Sequence, residues 1–234
     1  MRQIILDTET TGLEPKQGHR IIEVGCVEVV NRRLTGNNFH YYINPQREID
    51  EGAVAVHGIT TEFLADKPLY EDIAEELFEY LKGSEVVIHN AAFDVGFINH
   101  EYRLMGSDHA DMASWCEITD SLHMARKMFP GQRNSLDALC KRYEINNSQR
   151  TLHGALLDAE ILADVYLMMT GGQNSLFADE NAAEKEFKPK VFDKNRPAFP
   201  VIKASDDELV EHFQRLEAIK KSSGGECVWE TLSN

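Results

Sequence analysis

Positive charge is scarce in this chain: 24 Lys and Arg stand against 39 Asp and Glu, a net charge of −15. The deficit is concentrated in residues 1–170, with 15 basic against 27 acidic residues, while residues 171–234 hold 9 against 12. A domain this acidic does not bind nucleic acid tightly by neutralising phosphates with its own side chains. If it acts on nucleic acid, metal ions or a partner must supply positive charge. Cysteine is sparse too. Cys26, Cys116, Cys140 and Cys227 lie far apart with no Cys-x-x-Cys spacing, which speaks against a structural zinc site and for reduced thiols in a cytoplasmic protein. No apolar run reaches the roughly 18 to 20 residues of a membrane span. Acidic residues within the first ten positions, and no small-residue cleavage site, are unlike a signal peptide.

What is present suffices for a real core, with 42% apolar and 9% aromatic residues. A length of 234 residues admits one substantial domain with an appendage, or two small domains. The densest signal is at the start. Ile4, Ile5 and Leu6 run into Asp7-Thr8-Glu9 and then Thr10-Thr11-Gly12, which reads as a buried strand. Side chains alternate along a strand, so Asp7 and Glu9 point one way and Thr8 the other. Two carboxylates crowded at the end of a buried strand raise each other's pKa, and a hard divalent cation with oxygen ligands offsets that repulsion.

Further strands are expected at Arg20 to Val30 and Phe39 to Ile43, with a turn cluster between, making an antiparallel meander. A short helix is expected at Thr60 to Leu64 and a longer one at Tyr70 to Leu81, where Ile73, Leu77, Phe78 and Leu81 share a face. Glu85 to His89 reads as a short buried strand. Helices follow at Phe93–Met105, Thr119–Met128, Ser135–Tyr143 with Ser135 as cap, and Ala155–Met169. Strands first, then alternation of helix and strand, give an α/β domain over residues 1–172 with a mixed sheet. Residues 173–200 lack apolar periodicity and read as a flexible linker. In the tail, residues 201–234, Ser205-Asp-Asp-Glu208 fits a capping box, and Leu209, Phe213 and Leu216 repeat at helical spacing. A lone amphipathic helix of this length cannot bury its own apolar face, so it is expected to dock on something.

Two more clusters carry chemistry-bearing side chains. His89-Asn90-Ala91-Ala92-Phe93-Asp94 puts Asp94 in the first turn of a helix after a buried strand. His153-Gly154-Ala155-Leu156-Leu157-Asp158 puts Asp158 in the last domain helix, with His153 on the loop before it, free to swing towards Asp158. Singly, an Asp in a first helical turn is ordinarily there for the dipole. Together, Asp7-x-Glu9, Asp94, and His153 with Asp158 five residues later resemble the three motifs of the DEDDh 3′–5′ exonucleases in order and spacing. Val56-His57-Gly58-Ile59-Thr60, Lys127-Met128-Phe129-Pro130-Gly131 and Asn134-Ser135-Leu136-Asp137-Ala138-Leu139 are similar to the proofreading branch of that family, the epsilon type of bacterial DNA polymerase III. The tail, with Gly224-Gly225 and Cys227-Val228-Trp229, resembles it too.

That resemblance implies an RNase H-like fold, a mixed five-stranded sheet flanked by helices. It implies that Asp7, Glu9, Asp94 and Asp158 hold two Mg²⁺ or Mn²⁺ ions, with His153 as general base. Glu9, Thr10, Gly12 and His57, with Asp7 and Asp158, would contact the terminal nucleotide. The family can carry an acidic nucleotide contact five residues before His57, where this chain has Gly52 beside Glu51, so no role is assigned to Glu51. Gln173-Asn-Ser175-Leu176-Phe177 resembles the peptide by which bacterial proteins bind the β sliding clamp, with Leu176 and Phe177 filling an apolar cleft. The implied setting is a cytoplasmic bacterial replisome, where the tail binds the polymerase alpha subunit and the globular domain can bind a small theta subunit. The alternatives are an RNA-trimming DEDDh enzyme, or a non-catalytic adaptor between clamp and polymerase.

Overall fold

The computed structural model describes residues 2–150, 152–171 and 203–224. In chain order the elements are β1 (Arg2–Thr10), β2 (Ile21–Val30), β3 (Arg33–Leu34), β4 (Phe39–Tyr42), α1 (Glu51–His57), α2 (Thr61–Leu64), α3 (Tyr70–Leu81), β5 (Glu85–Ile88), α4 (Ala91–Leu104), β6 (Glu117–Asp120), α5 (Ser121–Met128), α6 (Leu136–Tyr143), α7 (Ala155–Thr170) and α8 (Asp206–Ser222). The chain divides into two compact units, residues 1–178 and 179–234. No described helix is long and apolar enough to cross a membrane.

β1 is the central strand. It pairs antiparallel with β2 and parallel with β5, and β6 extends the sheet parallel to β5. β3 and β4 both pair antiparallel with β2, β3 at Val29–Val30 and β4 at Glu23–Cys26. They share one edge, so a mixed sheet of six strands is five strands wide, as expected. Ile4, Ile5 and Leu6 are fully buried because both faces of the sheet are covered. Ile4, Leu6, Val24 and Ile88 pack against Ile73 and Leu77 of α3 and Phe97 of α4. Ile5, Val27, Val29 and Val87 pack against Leu139 of α6 and Leu162 and Val165 of α7.

Helix α3 has the expected bounds, and Ser135 caps α6 by accepting from the Ala138 N–H. The helix expected at Thr119–Met128 needs correction: Thr119 and Asp120 end β6, and α5 begins at Ser121. Thr119 is β-branched and pairs with Val87, while the Asp120 carboxylate accepts from the Leu122 and His123 N–H groups and so starts the helix. Helix α1 and the two-residue β3 were not anticipated; both are too short for periodicity to show. The helix of the second unit, α8, carries the expected capping box between Ser205 and Glu208. It buries no residue, and Leu209, Val210 and Phe213 are exposed. The linker, its Gln173, Ser175, Leu176 and Phe177, and the Cys227-Val228-Trp229 segment lie outside the described residues.

Two contacts hold the helices in place around the end of β1. Glu101 of α4, 1% exposed, accepts from the Arg20 guanidinium at 2.7 Å and from the Ile21 N–H at 3.1 Å. This anchors α4 to the start of β2. On the other face, Asp7 lies opposite Gly25 in the β1–β2 ladder. Side chains opposite each other share a face, and the missing one at Gly25 lets the first turn of α7 lie directly on the sheet. A Cβ there would overlap the backbone of Ala155 and Leu156. Gly25→Ala is therefore expected to push α7 off the sheet and cost about 1–3 kcal/mol, the usual scale of overpacking. Urea midpoints of the two proteins check this; an unchanged midpoint contradicts it.

Candidate active site

Asp7 and Glu9 project from the same face at the end of β1, each half-buried, while Thr8 and Thr10 between and beyond them are buried. Asp94 arrives from the other layer. Asn90 precedes α4 in the left-handed region (φ 76°), a conformation Asn tolerates better than most residues, and turns the chain so that Asp94 falls in the first helical turn. The Thr8 hydroxyl donates to Asp94 Oδ1 at 2.7 Å, which ties the two layers together at the strand end. Asp158 comes from the first turn of α7 and is 3% exposed. His153 stands on the extended approach to α7, its N–H donating to the Val56 carbonyl and its Nδ1 3.2 Å from Asp158 Oδ2.

Asp7, Glu9, Asp94, His153 and Asp158 all line one open cleft of about 680 Å³. All five expected catalytic and metal-ligating side chains are thus brought together, from three separate stretches of chain. A second hollow of about 540 Å³ adjoins it, sharing Thr8, Glu9 and Phe93 and adding Thr10, Gly12 and His57. Those are the remaining residues expected to hold a nucleotide. Gly52 lines this hollow without a side chain, and Glu51 is not among its lining residues. His57 Nδ1 accepts from the Ile59 N–H, so in the neutral ring Nε2 carries the proton; that Nε2 is buried, with no partner at full hydrogen-bonding geometry among the described residues. Burial lowers the His57 pKa.

The electrostatics are those of a cluster short of positive charge. Burial, then Asp94, Glu9 and Asp158, hold the Asp7 carboxyl well above the ordinary carboxylate range. Glu9 is pushed up to about 8 by burial and then by Glu23, which faces it across the β1–β2 ladder. Asp94 is raised to about 7, again chiefly by burial, against the lowering effect of the Thr8 hydroxyl. Ligand atoms of Glu9, His153 and Asp158 all lie within 4.8 Å of one another. Two carboxylates and an imidazole this close could together hold a divalent cation.

One participant was missed. Arg150, its side chain 8% exposed, bonds both oxygens of Asp158, at 2.5 and 2.7 Å. A lone Arg in the polar run Asn146-Asn147-Ser148-Gln149 carries no periodic or motif signal. Thr8, expected only to face away, proves to be a partner of Asp94.

The family model for exonucleases of the RNase T type matches residues 4–166. The chain is 53% identical to DNA polymerase III subunit epsilon of Salmonella typhimurium strain LT2, over 97% of each chain, and 53% identical to that of Escherichia coli K12 over the same shares. The chain belongs to the exonuclease family that includes these epsilon subunits. A solved structure of exonuclease X with 5′-overhanging duplex DNA superposes with a TM-score of 0.58 at 29% identity, over 72% of this chain and 91% of that one.

For this family member without metal, the raised carboxyls dictate how stability responds to pH. The folded protein binds protons more tightly than the unfolded chain between 4.5, the ordinary value for Glu9, and about 8. Stability therefore falls as pH rises through that window. Glu9→Gln removes part of the loss, so in chelator its melting temperature should overtake that of the parent progressively from pH 4.5 to about 8. A variant melting temperature that does not rise relative to the parent's over that range would contradict the assignment.

Proposed function

We propose that this exonuclease removes mispaired 3′-terminal nucleotides from DNA as 5′-monophosphates, within the core of a bacterial DNA polymerase III. The observation that carries the proposal is the convergence of Asp7, Glu9, Asp94, Asp158 and His153 on one cleft beside a nucleotide-sized hollow. Asp7, Glu9, Asp94 and Asp158 would hold two Mg²⁺ or Mn²⁺ ions. When bound, such ions neutralise phosphate charge and lower the pKa of a water.

The rest falls to the chain itself. Thr10, Gly12 and His57 line the hollow for the terminal nucleoside, and the His57 Nε2–H is a donor for it. His153, 44% exposed at the cleft, takes the proton of the attacking water. The phosphodiester opens with the phosphate staying on the departing nucleotide and a 3′-hydroxyl left on the strand. A mispaired end costs less to unstack, so it reaches a cleft built for a single strand more often.

The charge balance supports the partner assignment. A globular domain with 27 acidic and 15 basic residues in 1–170 binds DNA weakly alone and depends on delivery by a polymerase. Helix α8, with no buried residue and an exposed Leu209, Val210 and Phe213, suits docking on the polymerase alpha subunit. Gln173, Ser175, Leu176 and Phe177 would bind the β sliding clamp, and the globular domain can take a theta subunit where one exists. The location that follows is the bacterial cytoplasm.

An exonuclease assay with Mg²⁺ or Mn²⁺ tests this directly. Mispaired DNA primers should be trimmed faster than paired ones, with 5′-mononucleotide products, and His153→Gln should slow the reaction about 10²–10⁴-fold. A clear preference for RNA at equal concentration rejects the replication reading; no nucleotide release, with Asp7→Ala indistinguishable from the parent, favours a non-catalytic adaptor. In the same assay, truncation after Gly172 and the pair Leu176→Ala with Phe177→Ala should keep nuclease activity. The truncation should abolish binding to the alpha subunit and the paired substitution should weaken clamp binding; retained binding in either case reassigns that contact.

A further inference from the structure

Arg150 is the cation in closest contact with the carboxylate cluster. It reaches in from the loop between α6 and α7, and its guanidinium is shared among three acceptors. Nε and Nη2 grip Oδ1 and Oδ2 of Asp158 at 2.5 and 2.7 Å, a bidentate fork. Nη1 donates to Asp137 Oδ1 at 2.8 Å, and Nη2 also lies 2.9 Å from His153 Nδ1. Asp137 is 62% exposed in the first turn of α6 and accepts from Asn147 as well.

Two consequences follow from hydrogen-bond valence. The fork engages both oxygens of Asp158, so a cation held there would compete with the guanidinium for them. An Arg N–H can only donate, so a hydrogen bond from Nη2 takes Nδ1 of His153 as acceptor, and in the neutral ring the proton then sits on Nε2; the same Nδ1 lies 3.2 Å from Asp158 Oδ2, its partner in the other tautomer. A base must offer a lone pair, and with Nδ1 engaged and Nε2 protonated the ring has none to give. If the guanidinium withdraws, Nδ1, 3.2 Å from Asp158 Oδ2, is free to donate to that carboxylate. Nε2 then becomes the free acceptor. Withdrawal need not leave Arg150 unpaired, because Asp137 already holds its other terminal nitrogen.

Given Asp158 as a metal ligand and His153 as the base, the reading on which this rests, we propose that Arg150 is a positioning latch. It neutralises Asp158 and holds His153 in the tautomer that cannot accept a proton. A cation held by Asp158 would compete with the guanidinium, leaving Arg150 on Asp137 and the ring released. Arg150 thus sets metal affinity and the His153 tautomer and is not a group that touches the reacting atoms.

The full-length protein and its Arg150→Gln and Arg150→Lys variants test this by Mn²⁺ calorimetry, by melting in chelator and in saturating Mn²⁺, and by ¹⁵N spectra of the neutral His153 ring. Arg150→Gln should bind Mn²⁺ about tenfold more tightly, the scale of one charge-assisted hydrogen-bonded contact. It should melt lower than the parent in chelator, with the gap closing in Mn²⁺. The ring proton should move from Nε2 to Nδ1. Equal or weaker Mn²⁺ affinity, an equal loss of melting temperature in both conditions as for a merely structural arginine, or an unmoved ring proton overturns the latch. If Arg150→Gln folds in neither condition, Arg150→Lys decides by the same comparison, since it keeps the charge but cannot grip both oxygens. A parent protein that binds no Mn²⁺, or an Asp158→Asn variant that binds it equally well, overturns instead the metal reading beneath.

Discussion

The mutual repulsion of Asp7, Glu9, Asp94 and Asp158 is the constraint on which the rest of the structure depends. No folded chain gains by crowding carboxylates into a poorly solvated strand end, and the raised pKa values of Asp7, Glu9 and Asp94, due first to burial, express the cost. The surrounding fold is arranged to impose that cost. A fully buried central strand fixes Asp7 and Glu9. Glu101, anchored on Arg20 and the start of β2, fixes the helix that carries Asp94. Gly25, by having no side chain, lets the helix that carries Asp158 reach the sheet. Hydrophobic burial on both faces of the sheet offsets a charge cluster that would otherwise open it.

That arrangement also accounts for the acidity of the domain. On the proposed function, a surface short of Lys and Arg would leave phosphate binding to cations held at one cleft and to delivery by a partner. The exposed apolar residues of α8 fit the second requirement, since an isolated amphipathic helix is stabilised mainly by what it docks against. In the function proposed above, cleft and tail would be complementary: one would perform hydrolysis on an end it binds weakly, and the other would keep it near such ends.

Much of this was legible in the sequence because the relevant signals are local. Ile4 to Leu6 announced the central strand, the alternation of Asp7, Thr8 and Glu9 gave the facing of the two carboxylates, and Ser135 and Ser205 marked helix starts by cap chemistry. The carboxylates and histidine of the candidate site were legible through their resemblance, in order and spacing, to the DEDDh motifs. Features that depend on tertiary partners were not. Arg150 has no neighbour in sequence that betrays its grip on Asp158, and Thr8 gains its role only when α4 delivers Asp94 from the opposite layer. Thr119 and Asp120 read as helix because a four-residue strand beside a helix cap offers too few positions for its period to show, and pairing with β5 decides the matter.

Crystals grown with Mn²⁺ and a nucleoside 5′-monophosphate would test the central claim most directly, through the anomalous signal of the metal. The account predicts Mn²⁺ bound by Asp7, Glu9, Asp94 and Asp158, with the nucleotide in the hollow lined by Thr10, Gly12 and His57. An anomalous map with no metal at these carboxylates, and the nucleotide bound elsewhere, would contradict it.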